Sequence, residues 1–441
     1  MEDSLYDATT HVLCIPKLPA ALSALVSRPP AGRREDPDKQ RAQLSSHADA
    51  FARSLGKERP RYEKEEEREK LGGLRQCTWT SLDNVVGREE DDQRPELWPG
   101  KRKRRKISRN GDDSDDEDGR QQLRGLAVSL IYEKDTFQFM IYTQSPRCSL
   151  SKRRRIAASK HQPTAESEEE SAILLSKSSP TALKSFTKYL QDTFSVTTIY
   201  PFEPSSSQMQ VTLERYLATI HKSLSSARPQ SLHDSFSSIL GKIEFTVSFS
   251  HPVATGLRSI HVAIPATAFL TWYNSVETSE GGNQRGQRTF SESLAGWIKA
   301  KSGLCLPVLH EKDGMIAQLA QQHKPGNGDK ATGGGDNRDD PSNSSETSKA
   351  QDSPASMTMK ISRISTEAYT ISAASGLKFK SRALHAVEGP SDDTGTAADD
   401  RDNCVRRANR GLLLAIIEYT RRSHDKQQSH ATDGMTLGDV T

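Results

Sequence analysis

This 441-residue chain contains residue types capable of chemistry, but not at the spacings chemistry needs. Five cysteines, Cys14, Cys77, Cys148, Cys305 and Cys404, stand far apart, with no CxxC pair and no HxxxH partner to close around zinc. The glycine-rich stretch GNGDKATGGG at 326–335 lacks the GxxxxGK[ST] order of a phosphate loop and follows a polar tract rather than a strand. The acidic pairs Asp112 with Asp113 and Asp339 with Asp340 lie in polar linkers, where nothing would hold them in a catalytic geometry. GxSxG, HExxH and the kinase signatures are missing from the chain. His261 reads as a strand histidine. The expectation is a non-enzyme with no metal, no cofactor and no small-molecule substrate.

Charge is the other chemical resource. Net charge is only +3, the difference between 61 basic and 58 acidic residues, so any strong field must be local. KRKRRKISRNGDDSDDEDG, residues 101–119, sets Lys101, Arg102, Lys103, Arg104, Arg105 and Lys106 shortly before six acidic residues in the seven positions 112–118. A second such insertion carries KRRR at 152–155 and EEE at 168–170. A basic block of this kind serves as a nuclear localisation signal or as a nucleic-acid patch. The tethered acidic run competes with phosphate at high effective concentration, which favours the address label for residues 101 to 106.

The elements that must position any site come from hydropathy. The apolar fraction is 33% and mean hydropathy is -0.71. Both fall short of what one compact globule needs, so a folded body of about 250 residues interrupted by long polar insertions is expected. No apolar run approaches the roughly 18 residues that span a bilayer, and MEDSLYD lacks the features of a signal peptide. The expectation is a soluble protein of a reducing compartment.

Alternation predicts strands in LYDATTHVLCIPKL and GLRQCTWTSLDNVV, then a hairpin over LRGLAVSLIYEKDTFQFMIYT. Residues 28 to 70 show no periodicity. SSPTALKSFTKYLQDTF starts as a helix, with Ser179 as cap and Pro180 in the first turn, and a strand from Val196 to Tyr200 should follow. QMQVTLERYLATIHKSL is a second amphipathic helix. In ILGKIEFTVSFSHPVATGLRSIHVAIP, apolar Ile243, Phe245, Val247 and Phe249 pair with Ile260, Val262 and Ile264 across a turn, and Phe269, Leu270 and Tyr273 begin a short helix. TFSESLAGWIKAKSG predicts a helix with Phe290, Leu294, Trp297 and Ile298 inward and Gly303 at its stop, and LCLPVL at 304–309 reads as an edge strand. MTMKISRISTEAYTISAASGLKFKSRALHAV holds three short strands. The last helix, RANRGLLLAIIEYTRR, must be nearly wholly buried over Leu412 to Ile417.

From residue 172 onward, the order of these blocks resembles the CENP-L proteins of the inner kinetochore. The features that carry the likeness are SFTKYLQDTFSVTTIYPF, GKIEFTVSFSHPVATGLRSIHVAIP running into AFLTWYNSV, and SLAGWIKAKSGLCLPV. MTMKISRISTEAYTISAASGLKFKSRAL and GLLLAIIEYTRR follow in the same order. LYDATTHVLCIPKL looks like the family's opening strand. The resemblance implies an α+β fold in which antiparallel sheets carry helices packed on one side, interrupted by long disordered insertions. It implies a scaffold subunit of the constitutive centromere-associated network that pairs with CENP-N, with CENP-C and the CENP-H, CENP-I and CENP-K group as neighbours. The pair would read the CENP-A nucleosome and centromeric DNA in the nucleus.

The domain organisation that follows has a strand-rich part at 1–143, with insertions at about 28–70 and 85–122. A charged linker at 144–171 leads to the CENP-L-like domain at 172–424, with an insertion at 323–356, and to a disordered tail at 425–441. Leu377 and Phe379, alternating with lysines in SGLKFKS, are the candidate sheet edge for the partner. Arg258, Lys360, Arg363, Lys378, Lys380 and Arg382 are the candidate DNA groove. The rival reading is a nuclear DNA-binding regulator that uses residues 101 to 106 and 152 to 155 as its main contact.

Overall fold

One antiparallel sheet runs through the whole described protein. The computed structural model describes residues 5–26, 37–57, 69–83, 123–144, 170–227, 232–249, 256–271, 290–303, 359–385 and 396–433. The basic block at 101–106, the strand expected at 304–309 and the insertions at 85–122 and 323–356 lie outside them.

The strands are β1 (Thr10–Ile15), β2 (Leu74–Asp83), β3 (Leu123–Tyr132), β4 (Thr136–Gln144), β5 (Ala172–Lys177) and β6 (Tyr200–Pro201). β7 (Lys242–Phe249), β8 (Ser259–Pro265), β9 (Met359–Ser365), β10 (Tyr369–Ser372) and β11 (Gly376–Phe379) complete the set. Their order is β2-β3-β4-β5-β1-β11-β10-β9-β7-β8, with β6 pairing β1 off this path. β1 lies between β5 and β11, so the parts divided at 144–171 in the sequence share a single sheet.

Helices cover one face of the sheet from β3 to β8. α4 (Ser206–Ala227), α5 (Leu232–Leu240), α6 (Phe290–Ser302) and α8 (Thr396–Asp433) bury Val12, Tyr142, Phe245, Ile364 and Leu377 in one continuous core. Thr420 of α8 donates to the Cys14 sulfur of β1 at 3.1 Å. Tyr216 of α4 donates to Asn409 Oδ1 at 2.9 Å, and Asn409 donates on to Tyr6 at 3.2 Å, which fastens the N-terminal segment to both helices.

Among the described residues the opposite face is covered only over β2, β3, β4, β5 and part of β1. There α1 (Ala20–Val26), α2 (Pro37–Lys57) and α3 (Pro180–Phe194) enclose a second core with Trp79, Phe139, Ile141 and Leu174. Packing on one side therefore describes the half from β11 to β8, whereas β3, β4 and β5 are clad on both faces.

Local chemistry explains the clearest elements. Ser179 caps α3, accepting from the Ala182 N–H at 3.2 Å, with Pro180 following. Ser195 closes it in the left-handed region at φ 58, its N–H bonding Gln191 O at 3.0 Å. Gly303, at φ +73, ends α6 in the same manner.

Several expectations need correction. Residues 28–70 are not structureless throughout, because α2 occupies Pro37–Lys57. Leu44, Ala48 and Phe51 form a narrow buried stripe there that its many charged neighbours conceal. β5 was not anticipated, although its burial is nearly continuous. A central strand clad on both faces loses the alternation that reveals strands. α5 was missed as well. The strand expected over Val196 to Tyr200 shrinks to the two residues of β6. Trp297 is exposed while its neighbours Leu294 and Ile298 are buried. α8 continues to Asp433, past the boundary at 424. Within it Leu412, Leu413, Ile416 and Ile417 are buried, and Leu414 and Ala415 partly so.

Candidate partner and nucleic-acid interface

β11 is not an edge. β1 flanks it on one side, with Thr10 opposite Leu377, and β10 on the other. The N–H of Asp7 and a bridge from Tyr6 occupy the rest of its rim at Phe379. Leu377 and Phe379 are 1% and 3% exposed and belong to the main core. Their alternation with lysines arises because the strand separates the core from an open polar face. This corrects their assignment as a partner-binding edge.

That open face is the second surface of β8-β7-β9-β10-β11, and strand register defines it. His261, Thr246, Arg363 and Ser372 stand side by side in one row across four strands. The next row holds Ala263, Glu244, Ser365, Thr370 and Lys378. Ser259, Ser248 and Lys360 form a third, shorter row. Hydroxyl groups fill the spaces between the cations, and His261 Nδ1 lies 3.0 Å from Thr246 Oγ1. Lys242 and Glu244 add one charge of each sign on β7.

A β-bulge makes this arrangement possible. Lys360 and Arg363 are three residues apart and would point to opposite faces of a regular strand. The register between β7 and β9 shifts between Thr246 and Val247, which face Arg363 and Ile361, leaving Ser362 as the extra residue. Ser362 donates its hydroxyl to Thr246 O at 3.1 Å and accepts from the Ala373 N–H at 2.8 Å. Lys360 and Arg363 are thereby set on the open face together, while Ile361 and Ile364 both enter the core.

The other predicted cations differ from these. Lys380 continues the Lys378 side of β11, but its ammonium is tied down, donating to Ser365 Oγ at 3.2 Å and to Thr366 O. Burial lowers its pKa, opposed by the nearby Glu367 and Glu244 carboxylates and reinforced by Arg363 and Lys378. Arg382 opens the short helix α7 (Arg382–His385), largely exposed, and pairs with Glu367 at 3.7 Å. Arg258 is exposed beside β8, and its backbone bonds Phe249. By alternation it belongs with Phe249 on the helix-covered side. The structure thus gathers Lys360, Arg363 and Lys378 and leaves Lys380, Arg382 and Arg258 in other roles.

The edge of this half lies instead at β8, which pairs with β7 alone among the described residues, while β2, paired with β3 alone, ends the other half. The Phe249 N–H bonds Arg258 O, so hydrogen-bonded pairs recur at Val247 with Ile260 and at Phe245 with Val262. The backbone groups of Ser259, His261 and Ala263 consequently point away from the sheet. Sequence reasoning missed this edge because alternation is equally clean in edge and interior strands.

Among the described residues no cluster of His, Cys, Asp and Glu could hold a metal ion, and no helix is long and apolar enough to cross a membrane. The three described cysteines are free. Burial pushes the Cys14 thiol up to about 11 against the opposing Thr420 hydroxyl, so it is protonated core rather than a nucleophile.

Among known families, the model of CENP-L, Centromere protein L, matches residues 35–421. The match takes in α2 and β2 to β4 as well as the region from 172 onward. No curated protein matches the chain.

Proposed function

The chain belongs to the CENP-L family, and from that premise we propose that it is a non-enzymatic scaffold subunit of the inner kinetochore that pairs edge to edge with a CENP-N-like protein. A structural role at the centromere follows from the family itself. The pairing is our reading, and the single observation that carries it is β8, whose outer backbone groups are unpaired among the described residues. A partner strand added there would extend the ladder and bury the half-exposed Ile260 and Val262. The pair would sit beside CENP-C and CENP-H, CENP-I and CENP-K neighbours and join the CENP-A nucleosome to the kinetochore.

Ala263→Pro removes one outward N–H and leaves the β7 ladder intact. The expected outcome is a folded protein that no longer co-purifies with the CENP-N-like partner. Co-purification at wild-type yield would reject the edge.

A second reading concerns centromeric DNA, supported by Lys360, Arg363 and Lys378 on one hydroxyl-rich open face. Such a face suits phosphate contact without sequence preference. Changing all three to Gln should flatten the salt dependence of duplex binding, and an unaltered slope would end this reading. Lys101 to Lys106 act in nuclear entry, and an unchanged nuclear fraction after their replacement by Ala would remove that role.

A further inference from the structure

The insertion at 84–122 joins β2 to β3 and carries the acidic run at 112–118, which the scaffold role does not use. Three features of the molecule bear on where that run goes. The face of β11, β10, β9 and β7 opposite the helices is clad by nothing among the described residues, and Lys360, Arg363 and Lys378 outnumber Glu244 on it. An extended run presents Asp113, Asp115 and Glu117 on one side at about 6.7 Å intervals, close to the spacing of alternate residues along a strand. Reach suffices for the leading part of the run. Leu123 opens β3, and the run ends five residues before it and begins eleven before it, a span of about 16 to 36 Å when extended. β11 and β9 lie four and six strands from β3, about 19 and 29 Å, so Asp112 and Asp113 can reach β9 and the residues up to Glu117 can reach β11.

We infer that the acidic run at 112–118 of this chain docks on the open cationic face of β11, β10 and β9 and competes there with nucleic-acid phosphate. The run has a rival partner in its own neighbour, KRKRRK at 101–106. The face has the advantage because its cations are already held by the sheet, so only the acidic segment loses freedom on docking. The acidic side chains that reach it, at tethered concentration, would exclude weak, non-specific DNA and leave the face to a ligand of high charge density. Docking also keeps residues 101 to 106 free for import. The competition with DNA, though not the docking, rests on the phosphate-binding reading of the face.

Carbodiimide coupling of the full chain, followed by mass spectrometry, tests the contact directly. Links from residues 112–118 to Lys360 or Lys378 are expected. Links confined to Lys101, Lys103 and Lys106, or no links from the run, would overturn the inference. Binding of a short duplex gives the consequence. Changing the six acidic residues to Asn or Gln should tighten it about fivefold near 50 mM salt, with the gain fading as salt rises. That gain should vanish when Lys360, Arg363 and Lys378 are Gln as well, and a gain of equal size in that background would overturn the docking. Links to Lys360 without duplex binding by any variant would uphold the docking and remove only the DNA reading.

Discussion

The two halves of the sheet solve different problems. From β3 to β5 both faces are buried, nearly continuously, while β2 beside them buries only Trp79. Phe139 stacks on Phe186 with ring centroids 4.3 Å apart, and Trp79, Phe51 and Tyr189 surround the pair. From β11 to β8 one face is core and the other is open, so β7 alternates strictly between Ile243, Phe245, Val247 and Lys242, Glu244, Thr246. The first half has spent both surfaces on stability. Among the described residues the first half ends in the edge strand β2, whereas the second joins an edge, β8, to an open face. A sheet can thus divide scaffold from binding surface without dividing into domains, with β1 as the shared member.

The strongest way to break this comparison is at β11. Phe379→Asp places a carboxylate in the main core and is expected to destabilise the protein by more than about 4 kcal/mol, read as a lower urea midpoint. A variant that keeps its midpoint and loses only the partner would restore β11 as an edge.

A smaller effect separates cations within the open half. Lys380→Ala removes the donor to Ser365 and Thr366 and should cost about 1 kcal/mol. Arg363→Ala and Lys360→Ala should stay within about 0.5 kcal/mol, because neither side chain is buried. Equal losses at all three positions would mean that the open face is structural after all.

The smallest effect belongs to the doubly clad half. His47 lies against Trp79 and Phe194, with Nδ1 3.2 Å from the Tyr189 hydroxyl, and burial lowers its pKa from the ordinary 6.5. The native state therefore favours the neutral ring, and the unfolded chain binds more protons below about pH 6.5. This contribution is complete above the unfolded value and is lost as pH falls through the folded one. Urea midpoints at pH 7.5 and 5.5 should differ more in the wild type than in His47→Gln, and equal differences would place α2 off the sheet.

Amphipathic periods and caps were legible along the chain. Ser179 and Pro180 announced α3, Gly303 announced the end of α6, and the alternation in β7, β8 and the β3-β4 hairpin fixed those strands, because these signals are local. Where local signals fail, they fail for physical reasons. α2 hides a narrow apolar stripe among charges, and β5 is buried on both faces.

The sequence by itself therefore determined the α+β class, the open polar surface of the later strands and the likeness to CENP-L. Tertiary structure alone decided which of the later strands is an edge, since β1 arrives from some 360 residues away in sequence to close β11. It alone also decided which cations meet. The spacing of Ile361 and Ile364 by three is incompatible with a regular strand and hints at a bulge, but the shift against β7 puts Lys360 beside Arg363. Neighbourhood in a sheet is set by long-range pairing, whose register no stretch of chain carries alone.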